Sequence, residues 1–93
     1  MKVKSICIVG GGSSGWMTAA LLATNLKGVE ITVIEPRDVP TIGVGESTMG
    51  HINRFLNFIG LSGRDKDFMS SCSATYKVSV RFNNFKELGH TFQ

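Results

Sequence analysis

The chain has 93 residues, 42% hydrophobic and 18% charged, with a net charge of +3. That balance excludes a disordered chain, which would carry fewer apolar and more charged residues. No apolar run approaches the ~20 residues that span a bilayer, so no membrane segment is expected.

Taken in chain order, residues 5–9 form a short apolar run ending in glycines, the pattern of a buried parallel strand. Residues 10–15 are a glycine-rich turn. Residues 16–27 are rich in Ala, Leu and Met and predict a helix, with Gly28 as its stop. Residues 29–35 alternate β-branched side chains and predict a second strand, ended by Pro36. Strand, turn, helix and strand in this order open a βαβ unit with parallel strands and a right-handed connection. Residues 40–48 are irregular. Ile52, Phe55, Leu56 and Ile59 share one face of a second helix, capped by Ser47 or Thr48 and ended by Gly60. A short helix is expected over 64–71. Residues 75–82 alternate, with Tyr76, Val78, Val80 and Phe82 on one face and Lys77, Ser79 and Arg81 on the other. Asn83 and Asn84 predict a turn.

Other features are bland. The 10 Lys and Arg are scattered without a basic stripe, so no nucleic-acid partner is expected. Cys7 lies in an apolar run and is expected to be a buried thiol; it and Cys72 show no metal-ligand spacing, and no metal is expected. The apolar stretch after the basic start is too short for a signal peptide, which fits a reducing cytoplasmic setting. Trp16, Phe55, Phe58 and Phe68 are expected in the core, and His51 and His90 at or near the surface.

The turn carries the chemistry. Gly10-Gly11-Gly12-Ser13-Ser14-Gly15 matches G-x-G-x-x-G. Gly10 allows the tight turn, Gly12 lets backbone approach a pyrophosphate, and Gly15 lets the helix pack closely. The helix start offers free N–H groups to phosphates. Glu35 ends the next strand, 20 residues past Gly15, where a carboxylate accepts hydrogen bonds from an adenosine ribose and repels a 2′-phosphate. These residues define a dinucleotide site without separating FAD from NAD.

Thr41-Ile42-Gly43-Val44-Gly45-Glu46-Ser47-Thr48, taken together with the turn and Gly15-Trp16-Met17, resembles the flavin-dependent halogenases of the tryptophan-halogenase type. Alone, this loop would pass for an ordinary helix-capping segment. The resemblance implies FAD as cofactor, bound by Gly10, Gly12, Ser13, Ser14, Gly15 and Glu35. It implies a strap, Thr41, Ile42, Gly43, Val44, Gly45 and Glu46, lying against the flavin. Glycines there permit close approach or positive φ.

The same resemblance assigns catalysis to Lys77, which stands in Ala74-Thr75-Tyr76-Lys77-Val78-Ser79-Val80. Alternation by itself makes Lys77 a solvated residue on a wet strand face. The resemblance makes it the group that receives hypohalous acid, formed from reduced FAD, oxygen and halide, and delivers halogen to an electron-rich aromatic substrate. Lysine suits the role as a compact cation with three donors and a pKa that burial can lower. A separate flavin reductase supplies the reduced cofactor, and a homo-oligomer is compatible with the family.

The fold class expected is α/β, the start of a Rossmann-like FAD-binding fold. Residues 1–93 would form the N-terminal part of an FAD-binding, monooxygenase-like domain. The family's W-x-W-x-I-P segment is expected downstream, and so is the carboxylate that works with the lysine. The alternatives are a flavin monooxygenase or reductase sharing the nucleotide fold, and a stand-alone dinucleotide-binding module.

Overall fold

A computed structural model describes all residues from Met1 to Gln93. The elements are β1 (Ser5–Val9), α1 (Ser13–Asn25), β2 (Glu30–Ile34), α2 (Ile52–Phe58), α3 (Asp65–Ser71), β3 (Phe82–Asn83) and β4 (Thr91–Phe92). The first three form the expected parallel unit, with Ser5 opposite Glu30 and Val9 opposite Ile34. The Gly10 N–H extends this ladder, donating to the Ile34 carbonyl at 2.8 Å.

Two glycines shape the turn between β1 and α1. Gly10 has φ +126°, a conformation in which a Cβ would be strained. At Gly15 a Cβ would collide with the Gly10 carbonyl oxygen and lie 3.7 Å from Ile8 Cγ2. Bare backbone at Gly15 therefore lets α1 start directly against the turn. The helix begins at Ser13, three residues earlier than its apolar pattern indicates. It ends at Asn25, so Gly28 (φ +71°) serves the following turn rather than the helix stop itself.

Burial follows from how few layers are present. Ile6 and Ile8 of β1, with Ile31 and Val33 of β2, are half-buried on the side that meets α1. The other side of the strand pair stays open, and Cys7, expected to be buried, is exposed there with Val9 and Ile34. Trp16 is also 53% exposed, beside an open hollow lined by Ala19, Ala20, Ala23, Ile31 and Val33. Ala19 and Leu56 alone are buried. The radius of gyration is 17.6 Å, against about 13 Å for a compact domain of ~100 residues. The chain thus presents apolar faces that it does not itself cover.

The second helix is closed as its sequence requires. Gly60 takes φ +84°, and its N–H and that of Leu61 donate to the carbonyls of Asn57 and Leu56, the paired bonds of a Schellman stop. Asn25 Nδ2 donates to the Phe58 carbonyl at 2.9 Å and ties α2 to α1. Leu56 is buried and Phe55 half-buried, while Phe58 is 60% exposed because it lies on the outer face. Phe68 in α3 is half-buried. The start of α2 differs from expectation. Its N-cap is His51, with no side-chain cap, and a backbone turn supplies acceptors, Ile52 N–H donating to the Met49 carbonyl at 3.0 Å. Ser47 and Thr48 lie too far upstream to cap it.

The strand expected over 75–82 forms no ladder until Phe82 and Asn83, which pair antiparallel with Phe92 and Thr91. Alternation fixes two faces but not a partner, and no neighbouring strand lies alongside, so Tyr76 and Val78 are 77% and 98% exposed. Asn84 (φ +54°) turns the hairpin, and Phe82 stacks on Phe92 at 4.8 Å between ring centroids. His90, half-buried, tilts against Phe92, and His51 is exposed.

The crowding at Gly15 gives a stability prediction. Gly15→Ala should lower unfolding free energy by about 1–3 kcal/mol, the range for overpacking against backbone. Gly43→Ala, where a Cβ meets nothing within 4 Å, should stay within ~0.5 kcal/mol of the parent. Urea unfolding followed by circular dichroism measures both, and equal midpoints would refute the packing argument.

Candidate functional site

The turn, the end of β2 and the strap converge on one cleft. Its volume is about 330 Å³, and its lining includes Gly11, Gly12, Ser13, Glu35, Thr41, Ile42 and Glu46. The first turn of α1 opens into it. No side chain caps that helix and no acidic residue stands in its first turn. The helical bonds begin with Trp16 N–H to the Gly12 carbonyl at 3.1 Å. The N–H groups of Ser13, Ser14 and Gly15 precede that bond and are left as donors, at the positive end of the helix dipole. Nothing lies within 4 Å of where a Gly12 Cβ would sit, so the backbone there is open to an approaching group.

Glu35 reaches the same place from β2. A Cβ added at Gly11 would collide with the Glu35 side chain, so this glycine is what lets the carboxylate lie against the turn. The motif leaves the Gly11 position unrestricted, so the motif alone assigns it no role. The signal available was a third consecutive glycine where the motif asks for two of the three.

The strap closes the other side. Gly45 takes φ +122°, whereas Gly43 has no positive φ and open space around it. Only the second of the two glycines therefore meets a backbone demand. Immediately after it, Glu46 Oε1 accepts a hydrogen bond from Ser13 Oγ at 3.2 Å, joining the strap to the first residue of α1. The Ser13 hydroxyl has one proton and spends it on Glu46, so the donors left for a phosphate are backbone N–H groups. Thr41 and Ile42 line the cleft; Gly43, Val44 and Gly45 are exposed beyond it.

Lys77 also belongs to this neighbourhood. Its Nζ donates to Ser47 Oγ at 3.1 Å and to the Thr48 carbonyl at 2.9 Å. Ser47 and Thr48 thus hold the lysine instead of capping α2, a contact that no local sequence pattern signals. Arg37 makes no ion pair; the one salt bridge, Arg64 to Asp67, is exposed and distant in sequence from the cleft. No group of three or more His, Cys, Asp or Glu is placed to hold a metal ion. No helix is long and apolar enough to cross a membrane.

The donor set fits a dinucleotide: uncapped N–H groups and open Gly12 backbone for phosphates, and a carboxylate across the turn for ribose hydroxyls. A parallel βαβ unit with this turn is the opening of a Rossmann-like α/β fold. The tryptophan halogenase family model matches residues 5–93. The chain is 49% identical over 86 residues to the 7-chloro-L-tryptophan 6-halogenase KtzR of a Kutzneria species, covering 91% of this chain and 16% of KtzR. It is 40% identical over 90 residues to the tryptophan 7-halogenase RebH of Lentzea aerocolonigenes, covering 95% of this chain and 17% of RebH. The crystal structure of the tryptophan 6-halogenase SttH from Streptomyces toxytricini aligns with a TM-score of 0.78 at 41% identity, covering 96% of this chain and 18% of SttH. The chain belongs to the tryptophan halogenase family, and it spans about 16% of the length of these curated relatives.

Gly11 supplies the test of the cleft. If the cleft holds a flavin nucleotide, Gly11→Ala in the full-length protein should displace Glu35 and weaken flavin binding about tenfold, the loss of one or two charge-assisted hydrogen bonds. Titration followed by flavin fluorescence reads this, and unchanged affinity would show that Glu35 contributes nothing to binding.

Proposed function

We propose that these residues are the N-terminal part of an FAD-binding, monooxygenase-like domain of a flavin-dependent halogenase. The whole protein acts on an electron-rich aromatic small molecule in the cytoplasm, with oxygen and halide as co-substrates and reduced FAD from a separate flavin reductase. The observation that carries the reading is the placement of Lys77. Its ammonium is bonded to Ser47 and Thr48, while the preceding residue, Glu46, is bonded to the start of α1. A lysine and a nucleotide-type cleft thus share one short segment. KtzR, RebH and SttH are named for halogenating tryptophan or chlorotryptophan, which supports the substrate class.

Each residue has a defined task in this proposal. The N–H groups of Ser13, Ser14 and Gly15 bind the pyrophosphate, with Gly10 and Gly12 giving it room. Glu35 accepts from ribose hydroxyls. Thr41, Ile42, Gly43, Val44, Gly45 and Glu46 form the strap against the flavin ring and exclude water from that side. Bound reduced flavin supplies the activation of oxygen that converts halide into hypohalous acid. Lys77 then donates a hydrogen bond to that acid as the ammonium, or, as the free amine, attacks its halogen, breaking the O–halogen bond and giving up an N–H proton, so that a haloamine and water result. In either form it holds an electrophilic halogen beside the aromatic ring, a placement that a preorganised side chain makes favourable.

The decisive variant is Lys77→Ala in the full-length protein. Halogenated product should fall at least about a hundredfold, the scale for losing a positioned proton donor, while FAD still binds by its absorbance shift. Product formation by the parent should stop when halide is omitted. Undiminished halogenation by Lys77→Ala would remove this residue from the mechanism, and halide-independent turnover to a hydroxylated product would replace the halogenase reading with a monooxygenase.

A further inference from the structure

We propose that Ser47 is a positioning residue for Lys77: its hydroxyl and the Thr48 carbonyl form a two-point cradle that aims the ammonium. The inference rests on the catalytic reading of Lys77 and deepens it. Lys77 Nζ lies 3.1 Å from Ser47 Oγ and 2.9 Å from the Thr48 carbonyl oxygen. An ammonium has three N–H donors, so two are spent on the protein and one is left for the reacting species. The direction of that last donor is set by the other two.

Nothing else holds this side chain. Residues 75–81 join no ladder, Tyr76 and Val78 on either side are exposed, and Lys77 makes no salt bridge. A free lysine on such a segment samples many rotamers, and fixing it in one carries an entropy penalty. The two residues that follow the strap therefore supply the aim. The two acceptors differ in kind. The carbonyl belongs to the backbone and remains in any variant at position 47, whereas the hydroxyl depends on the Ser47 side chain. Loss of Ser47 should loosen Lys77 without releasing it.

The expected effect is accordingly partial. In the full-length protein, Ser47→Ala should lower kcat for halogenation about fivefold, the scale of one exposed charge-assisted hydrogen bond. KM for the aromatic substrate should stay within about twofold. Ser47→Thr, which keeps the hydroxyl, should recover most of the rate. A second measurement needs no turnover. With limiting acetic anhydride and peptide mass spectrometry, Lys77 should be acetylated about fivefold faster in Ser47→Ala than in the parent, relative to exposed Lys66. Equal labelling of Lys77 in both proteins, or an unchanged kcat in Ser47→Ala, overturns the cradle. Undiminished halogenation by Lys77→Ala instead overturns the catalytic reading, and the labelling ratio then decides the contact by itself.

Discussion

The close approach of the Gly15 backbone to the Gly10 carbonyl is the constraint on which this chain's architecture depends. It brings the first turn of α1 against the end of β1, and the Gly10 N–H completes the parallel ladder by bonding Ile34. The end of β2 then falls beside the turn, and Glu35 follows it into the cleft. Helix start, carboxylate and open Gly12 backbone are thus consequences of one packing demand. Any side chain at Gly15 would push α1 outward and disperse them. Gly11 adds a second, smaller demand of the same kind, because the Glu35 side chain occupies the space its Cβ would need.

The strap is held differently. It has no regular secondary structure of its own, and all of its residues are exposed. Its placement rests on the contact of Glu46 with Ser13, distant in sequence, and the Ser47 hydroxyl and Thr48 carbonyl that follow it in turn hold Lys77. Each such exposed bond is worth little alone. Gly45, at φ +122°, bends the backbone just before these residues and sets their direction. The glycine turn is therefore enforced by steric exclusion and the strap by a few directional bonds, so substitutions should disturb the first through folding and the second through alignment.

This difference explains what was legible in the sequence. Backbone demands announce themselves as residue identity. Gly10, Gly15 and Gly60 could be read at their positions because each meets a positive φ or a contact that excludes a Cβ. The βαβ order was legible because apolar periodicity changes from strand to helix and back. The contacts of Lys77 were not legible, because Ser47 lies 30 residues away and nothing in local pattern links them. Reading Ser47 and Thr48 as caps failed because α2 begins only at Ile52, after a backbone turn that needs no side-chain acceptor. Cys7 and Trp16 were misplaced for another reason. An apolar run states that a face can be buried, but burial requires a second layer, and one helix covers one side of two strands.

The same reasoning bears on how the lysine and the cleft come to be neighbours. Glu46 and Ser47 are consecutive, yet their side chains bond to different parts of the chain. Glu46 meets α1 and Ser47 meets Lys77, so a single peptide step separates the contact that ties the strap to the nucleotide turn from the contact that aims the lysine. Such adjacency keeps the relative placement of the two ends insensitive to loop breathing elsewhere, because few rotatable bonds lie between them. It also means that the strap's own backbone, rather than the segment carrying Lys77, is the element whose geometry the lysine inherits. A residue on an unpaired segment becomes directed by bonding to one whose backbone is fixed by a glycine bend and a helix start.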